Sequence, residues 1–298
     1  MKAGCVALLG RPNAGKSTLL NRIVGEKVAI VSNKPQTTRT RIIGVKNYDG
    51  EGQVVFVDTP GVHKPMHRMN RRMVDVALES MREVEVVALL VDVSVKPGPG
   101  DRYMLDVVKD LTVPVILVMN KVDLIAKNRL LPIIAHYQRQ HAFAEFVPIS
   151  AADGTNVDVL ETLFLKHLPE GEPMYPLDYL TDQPERFYAA EIVREKVLQL
   201  THDELPHSTA VVVDKFEEPG DDRTLKLYCT ILVERESQKP IVVGKGGAMI
   251  KQIGTAARAE LIAHFGTKVY LDLHVKVKSE WRNDDRLLDE LGLQNRER

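Results

Sequence analysis

Residues 10–17 read GRPNAGKS, and they stand directly between the apolar run CVALL and the helical pattern TLLNRIVG. A glycine-rich turn joining a buried strand to a helix commits the neighbouring chain to strand–helix alternation. Residues 5–150 comply. CVALLG, QVVFVD, VVALLVD, PVILVMN and EFVPIS are near-continuous apolar runs, as strands covered on both faces read. Amphipathic stretches such as MNRRMVDVALESMREV separate them. The expectation is an α/β domain with a mostly parallel sheet and helices on both faces. IIGVKNYD and QVVFVD, joined across Gly50-Glu51-Gly52, predict one antiparallel pair at the edge.

The turn fits G-x-x-x-x-G-K-[ST] in the strand–loop–helix context that the motif requires. Gly10, Arg11, Pro12, Asn13, Ala14 and Gly15 would wrap backbone N–H groups around phosphate oxygens at a helix N-terminus. Lys16 would reach the β- and γ-phosphates, and Ser17 would ligate Mg²⁺, with Thr18 beside it. Asn120-Lys121-Val122-Asp123 closes the apolar strand PVILVMN. The Asp123 carboxylate can accept from guanine N1–H and the 2-amino group, donors that adenine does not pair in this way, which argues against an ATPase. Asp58-Thr59-Pro60-Gly61 ends QVVFVD. Asp58 would hold Mg²⁺ through water, and the Gly61 N–H would meet the γ-phosphate. Thr38, favoured over Thr37, would complete the metal shell and let go when phosphate leaves. Lys16, Thr38 and Gly61 are thus the catalytic candidates. Ser150 and Ala151 would offer backbone N–H to guanine O6. These five elements, in this order, resemble the translation-factor class of P-loop GTPases over residues 4–167.

Position 62 is valine, where small signalling GTPases carry a glutamine that orients the attacking water. A backbone-held water is preferred here over a substitute side chain such as His63. Related GTPases with a similar loop are stimulated by potassium. That resemblance implies a K⁺ site near Asn13 and slow intrinsic turnover, about 10⁻⁴–10⁻² s⁻¹ as for unassisted GTPases.

Beyond LPEGEPMYPLDYLTDQPE the order of elements changes to helix, strand, strand, helix, helix, strand. Adjacent strands point to an α+β domain with a small three-stranded sheet. The expected organisation is residues 1–168, a linker over 169–185 whose tyrosines and leucines would pack on a surface, and a second domain over 186–298. Within it, IVVGKGGAMIKQIG offers a second glycine loop. It lacks the Lys-Ser/Thr of the first, and Met249 breaks a dinucleotide fingerprint. What remains is G-x-x-G between an apolar entry (Ile241, Val242, Val243) and an apolar helix (Met249, Ile250, Ile253), the pattern of a KH domain, whose loop clamps about four single-stranded nucleotides. The element order matches the type II KH variant. Gly244, Lys245, Gly246 and Gly247 would approach the sugar–phosphate chain, with Lys251 and Arg258 supplying charge. The whole chain carries a net charge of only −1, so nucleic-acid binding must rest on a local patch. Eight lysines and arginines lie between 239 and 282 against Glu260, Asp272 and Glu280, inside a C-terminal region richer in acids than bases.

An α/β P-loop GTPase domain followed by an α+β type II KH domain resembles the Era family over nearly the whole chain. Thr37-Thr38-Arg39, Asp58-Thr59-Pro60-Gly61 with Val62-His63, and VVGKGG carry the likeness. The resemblance implies Mg²⁺ and GTP/GDP, and binding of the single-stranded 3′ region of small-subunit ribosomal RNA. It further implies a role in assembling the small ribosomal subunit. The competing reading is a switch whose C-terminal domain binds protein or membrane. A monomeric, cytoplasmic protein is expected, with loose association at the inner membrane left open. The MKAGCVALLGRPN start is too short for a signal peptide. Cys5 and Cys229 are expected to be free thiols. His63 and His67 lack an evident third metal ligand. Trp281 is expected to pack rather than stack a base. The basic run 63–73 would touch RNA or the KH domain, or simply face solvent.

Overall fold

The computed structural model describes residues 1–61, 67–201, 205–220 and 223–293. Val62, His63 and part of the basic run 63–73 lie outside them. The chain divides into two compact units. The first is built from residues up to Asp182. The second runs from Gln183 onward and takes in the short segments Ser32–Thr37 and His67–Met69.

In the first unit the order is β1 (Lys2–Gly10), α1 (Lys16–Val24), β2 (Ile42–Tyr48), β3 (Gly52–Asp58), α2 (Arg68–Glu79, whose first two residues count with the second unit), β4 (Val86–Asp92), α3 (Pro99–Lys109), β5 (Val115–Asn120), α4 (Leu130–Gln138), β6 (Glu145–Ile149) and α5 (Val157–His167). The sheet runs β2-β3-β1-β4-β5-β6. Every pair is parallel except β2–β3, which is antiparallel and at the edge, as the sequence predicts. Strand alternation sorts the core into two layers. Val6 and Leu8 of β1 pack with Leu19, Leu20, Ile23 and Phe164 on one face. Ala7 and Leu9 pack with Met104, Leu105 and Tyr137 on the other. Both faces are therefore dry, which is why these strands read as unbroken apolar runs.

Residues 174–182, read as linker from their prolines, lie along the edge strand. Val45 N–H donates to the Leu180 carbonyl (2.8 Å) and Asn47 Nδ2 to that of Leu177 (2.6 Å). Gln53 is fully buried and uses both ends of its amide. Its Oε1 accepts from Met174 N (2.7 Å) and Tyr175 N (2.9 Å), and its Nε2 donates to the Tyr175 carbonyl (2.8 Å). Stacked Tyr175 and Tyr179 then cover Ile43, Val45 and Val55. This strap blunts an edge that would otherwise expose unpaired backbone.

The second unit holds α6 (Glu185–Leu200), a single turn α7 (Leu205–Ser208), β7 (Ala210–Glu217), β8 (Thr224–Val233), α8 (Lys239–Val243), α9 (Ala248–Phe265), β9 (Lys268–Val277) and α10 (Asp285–Glu290). Its sheet is β7-β8-β9, antiparallel then parallel. Leu225, Leu227, Cys229 and Ile231 of β8 are buried while Lys226, Tyr228 and Thr230 between them are half-buried. One face is therefore core and the other faces water. Trp281 is fully buried and its Nε1 donates to the Ser208 carbonyl at 2.9 Å, a packing role. Both cysteines are free.

Candidate nucleotide site and nucleic-acid loop

The motif residues of the first unit all sit at or just beyond the carboxyl ends of β1, β3, β5 and β6, where open α/β sheets place ligands. The turn after β1 is held from several sides. Gly15 has φ +98°, and a Cβ there would lie 2.2 Å from Asn120 Nδ2, so only glycine fits. Arg11 pairs with Asp101 at 3.2 Å, and that buried carboxylate also caps α3 through the Gly98 N–H. Asn13 is exposed with a left-handed φ of 64°. Pro12 is half-buried, and Thr18 follows Ser17 in the first turn of α1.

Lys16 opens α1 and is buried. Its Nζ donates to the carbonyls of Gly10 (3.1 Å) and Arg11 (3.3 Å). Burial pulls the ammonium below the ordinary lysine range, with Asp58 opposing. Ser17 Oγ lies 2.7 Å from Thr38 Oγ1 and donates to Asp58 Oδ2 at 2.5 Å. Asp58 is fully buried, and its Oδ1 has no hydrogen-bond partner. Burial pushes this carboxyl up to about 6, against the pull of Lys16. Three oxygen donors on three separate segments thus converge, one with an orphaned buried lone pair. Such a set suits a small hard cation that keeps several waters. The Thr37 hydroxyl, by contrast, donates to the Lys34 carbonyl of its own turn (2.7 Å). Thr59 Oγ1 is spent on the Leu8 carbonyl (2.8 Å). Past Pro60, a Cβ on Gly61 would meet Pro12 at 2.7 Å, so this glycine lies directly against the phosphate loop.

The loops after β5 and β6 are organised by Asn120. Its Nδ2 donates to the Ala14 carbonyl (2.8 Å), while Oδ1 accepts from Lys121 N (2.8 Å) and Ala151 N (2.9 Å). One buried amide therefore registers three loops against each other. Lys121 has φ 70° and its Nζ reaches Asp92 at 2.7 Å. Asp123 lies on a single 3-10 turn with its carboxylate exposed. The Ser150 N–H donates to the Thr155 carbonyl (3.1 Å). Both N–H groups expected to serve guanine O6 are thus already engaged within the protein. No group of three or more metal-ligating His, Cys, Asp or Glu occurs among the described residues, His67 included.

In the second unit Gly244–Gly247 link α8 to α9. Gly244, Gly246 and Gly247 have φ of 74°, 59° and 80°, a run that side chains would resist. Lys245 and Gly246 are exposed, as are Lys251 and Arg258, which lie on one face of α9 at i, i+7.

Residues 5–121 match the 50S ribosome-binding GTPase family and residues 204–282 the KH domain family. The chain is 52 % identical to GTPase Era of Geobacter metallireducens over 98 % of its own length and 97 % of that protein's. It belongs to the GTPase Era family. Its fold is similar to the crystal structure of Aquifex aeolicus Era, as a point variant bound to GDP·AlF4⁻, at a TM-score of 0.95 and 43 % identity, covering 99 % of this chain and 100 % of that one. A structure of Era in complex with MgGDPNP and nucleotides 1506–1542 of 16S ribosomal RNA is equally similar, at a TM-score of 0.96, 43 % identity and the same coverage. As an Era-family protein the chain is a GTPase, converting GTP and water to GDP and phosphate. It couples a P-loop GTPase domain to a KH domain. No helix among the described residues is long and apolar enough to cross a membrane.

Proposed function

We propose that this chain is a slow GTP-driven switch that takes the single-stranded 3′ end of small-subunit ribosomal RNA on its second glycine loop and releases it after hydrolysis, in the service of small-subunit assembly. The convergence of Ser17, Thr38 and Asp58 around an orphaned carboxylate oxygen carries the switch half of this reading. Mg²⁺ held there would neutralise charge on the β- and γ-phosphates. Thr38 arrives on a loop, so its grip depends on the ligand being present; Ser17 and Asp58 are set by a helix and a strand end. Lys16 supplies a buried cation, and the Gly61 N–H a donor for the terminal phosphate.

The RNA half is supported by the Gly244–Gly247 loop, with its three positive-φ glycines and exposed Lys245 and Gly246, by Lys251 and Arg258 near it, and by the relative crystallised with 16S ribosomal RNA. The functional division we propose is 1–168 for the GTPase, 169–185 for the connection and 186–298 for the KH domain. We place guanine against Asn120, Lys121, Asp123 and the 150–151 loop, phosphates against residues 10–18 and 58–61, and K⁺ near Asn13. The protein would act in the cytoplasm as a monomer, any membrane contact being peripheral.

The test is binding of short single-stranded RNAs over a salt series, in a GTP analogue and in GDP. Salt-dependent affinity that differs between the two nucleotides is expected. Equal affinity in both removes the switch, and no affinity in either removes the RNA reading.

A further inference from the structure

The guanine loop has one donor that the motif reading did not single out. Ser150, Ala151 and Ala152 form two successive peptide planes, both trans, since no cis bond occurs among the described residues. In a planar trans peptide, fixing the carbonyl of one residue fixes the next N–H in the opposite direction. The Ser150 carbonyl accepts from Gly154 N at 2.9 Å, so the Ala151 N–H is turned onto Asn120 Oδ1. The Ala151 carbonyl accepts from Arg22 Nε at 2.7 Å, which turns the Ala152 N–H away from Arg22. That N–H forms no hydrogen bond among the described residues. Arg22 Nη2 takes the Ala152 carbonyl as well.

Arg22 therefore grips two consecutive carbonyls of the loop. It stands on α1, six residues beyond Lys16, so the helix that carries the phosphate-binding lysine also sets the base-side loop. A charged donor on the Ala151 carbonyl polarises the same peptide and makes the Ala152 N–H a better donor. Arg22, Thr18, Lys27, Ala151 and Ala152 help line an open cleft of about 310 Å³.

We propose that Arg22 is a specificity-determining positioning residue: by holding the Ala151 and Ala152 carbonyls it presents the Ala152 N–H to the 6-oxo group of guanine. The inference rests on the guanine reading of Asn120, Lys121, Asp123 and the 150–151 loop. The test uses the full chain, as wild type, Arg22→Ala and Arg22→Lys, with GTP, 6-thio-GTP and ATP. The thio analogue keeps both donors that face Asp123 and replaces only the 6-oxo acceptor by a weaker one. Dissociation constants come from competition against a fluorescent GDP, and kcat and KM from phosphate release.

Wild type should prefer GTP to 6-thio-GTP. Arg22→Ala should weaken GTP about tenfold and 6-thio-GTP by less than about threefold, so that the preference collapses. Its kcat at saturation should stay within about twofold of wild type, with the loss in KM. Arg22→Lys, which keeps a charged donor, should recover most of the preference. Equal weakening of both nucleotides, or a fall in kcat at unchanged KM, would overturn the proposal, as would a wild type indifferent to the thio substitution. If Arg22→Ala does not fold, an unchanged GTP to 6-thio-GTP ratio in Arg22→Gln does the same. A wild type that fails to prefer GTP over ATP would instead remove the guanine reading itself.

Discussion

Two glycine loops with a lysine each sit in one chain, and they handle that lysine in opposite ways. In the first, Lys16 is buried beneath its loop, bonded to the carbonyls of Gly10 and Arg11 and depressed by burial. In the second, Lys245 stands in solvent on a loop whose glycines leave open space around Gly246 and Gly247. A terminal phosphate is a compact group that can enter a cradle, so a desolvated cation and a buried carboxylate are worth their cost there. A nucleic-acid backbone is continuous and must pass over its clamp. Its site has to be open, and its charges remain hydrated and screened. The same composition thus yields a chemical centre in one place and a reversible clamp in the other.

The sharpest way to break this contrast is Lys16→Ala. Turnover should fall by about 10²–10³-fold, as when a preorganised transition-state donor is removed, while RNA affinity measured in GDP stays unchanged. A milder loss would mean that Lys16 is structural. Gly246→Asp comes next. A Cβ there meets nothing within 4 Å, and its φ of 59° is one that aspartate tolerates. The fold should hold while an added negative charge weakens RNA by about 10–100-fold. GTP turnover measured without RNA should not move.

Titration gives a third separation. Burial raises the Asp58 carboxyl to about 6. Below that pH the carboxyl is protonated and cannot ligate a cation, so Mg²⁺-dependent retention of GDP should weaken by up to about tenfold per unit as pH falls through 6. The sign for stability is the reverse. The folded state binds this proton more tightly than the unfolded chain does. The group's contribution to the stability of the metal-free protein is therefore present at low pH and lost as pH rises from about 4 to 6. Nucleotide exchange rates that stay flat from pH 7.5 to 5.5 would show that Asp58 is not so placed. Smallest of all is Lys251→Ala. Losing one phosphate contact should cost RNA a few-fold in affinity and reduce the salt slope by about 0.7, with guanine nucleotide affinity untouched.

Much of this was legible beforehand where the information is contiguous. GRPNAGKS, NKVD and VVGKGG each set a local backbone path, so strand, turn and helix could be read directly, and the edge pair β2–β3 followed from its short glycine turn. The strap over the edge strand was legible only in part: its tyrosines and leucines read as packing on a surface, but not on which one. Its prolines read as linker, and nothing nearby in sequence reveals that a fully buried Gln53, more than 120 residues away, satisfies both ends of its amide on that segment. The readout loop was half legible: Ser150 and Ala151 lie where expected, but their N–H groups already have partners within the protein.

By itself, then, the sequence determined element order, sheet class and the two kinds of glycine loop. These depend on torsions and periodicities over a few neighbours. Only the tertiary structure decided that one Asn120 amide joins three loops, that Ser17, Thr38 and Asp58 meet with a lone pair to spare, and that Arg22 grips the carbonyls of Ala151 and Ala152. Those outcomes depend on which buried polar atoms find partners across tens of residues. Pairing of that kind is settled when the core closes and water leaves, because each unpaired buried group then costs about 1–3 kcal/mol.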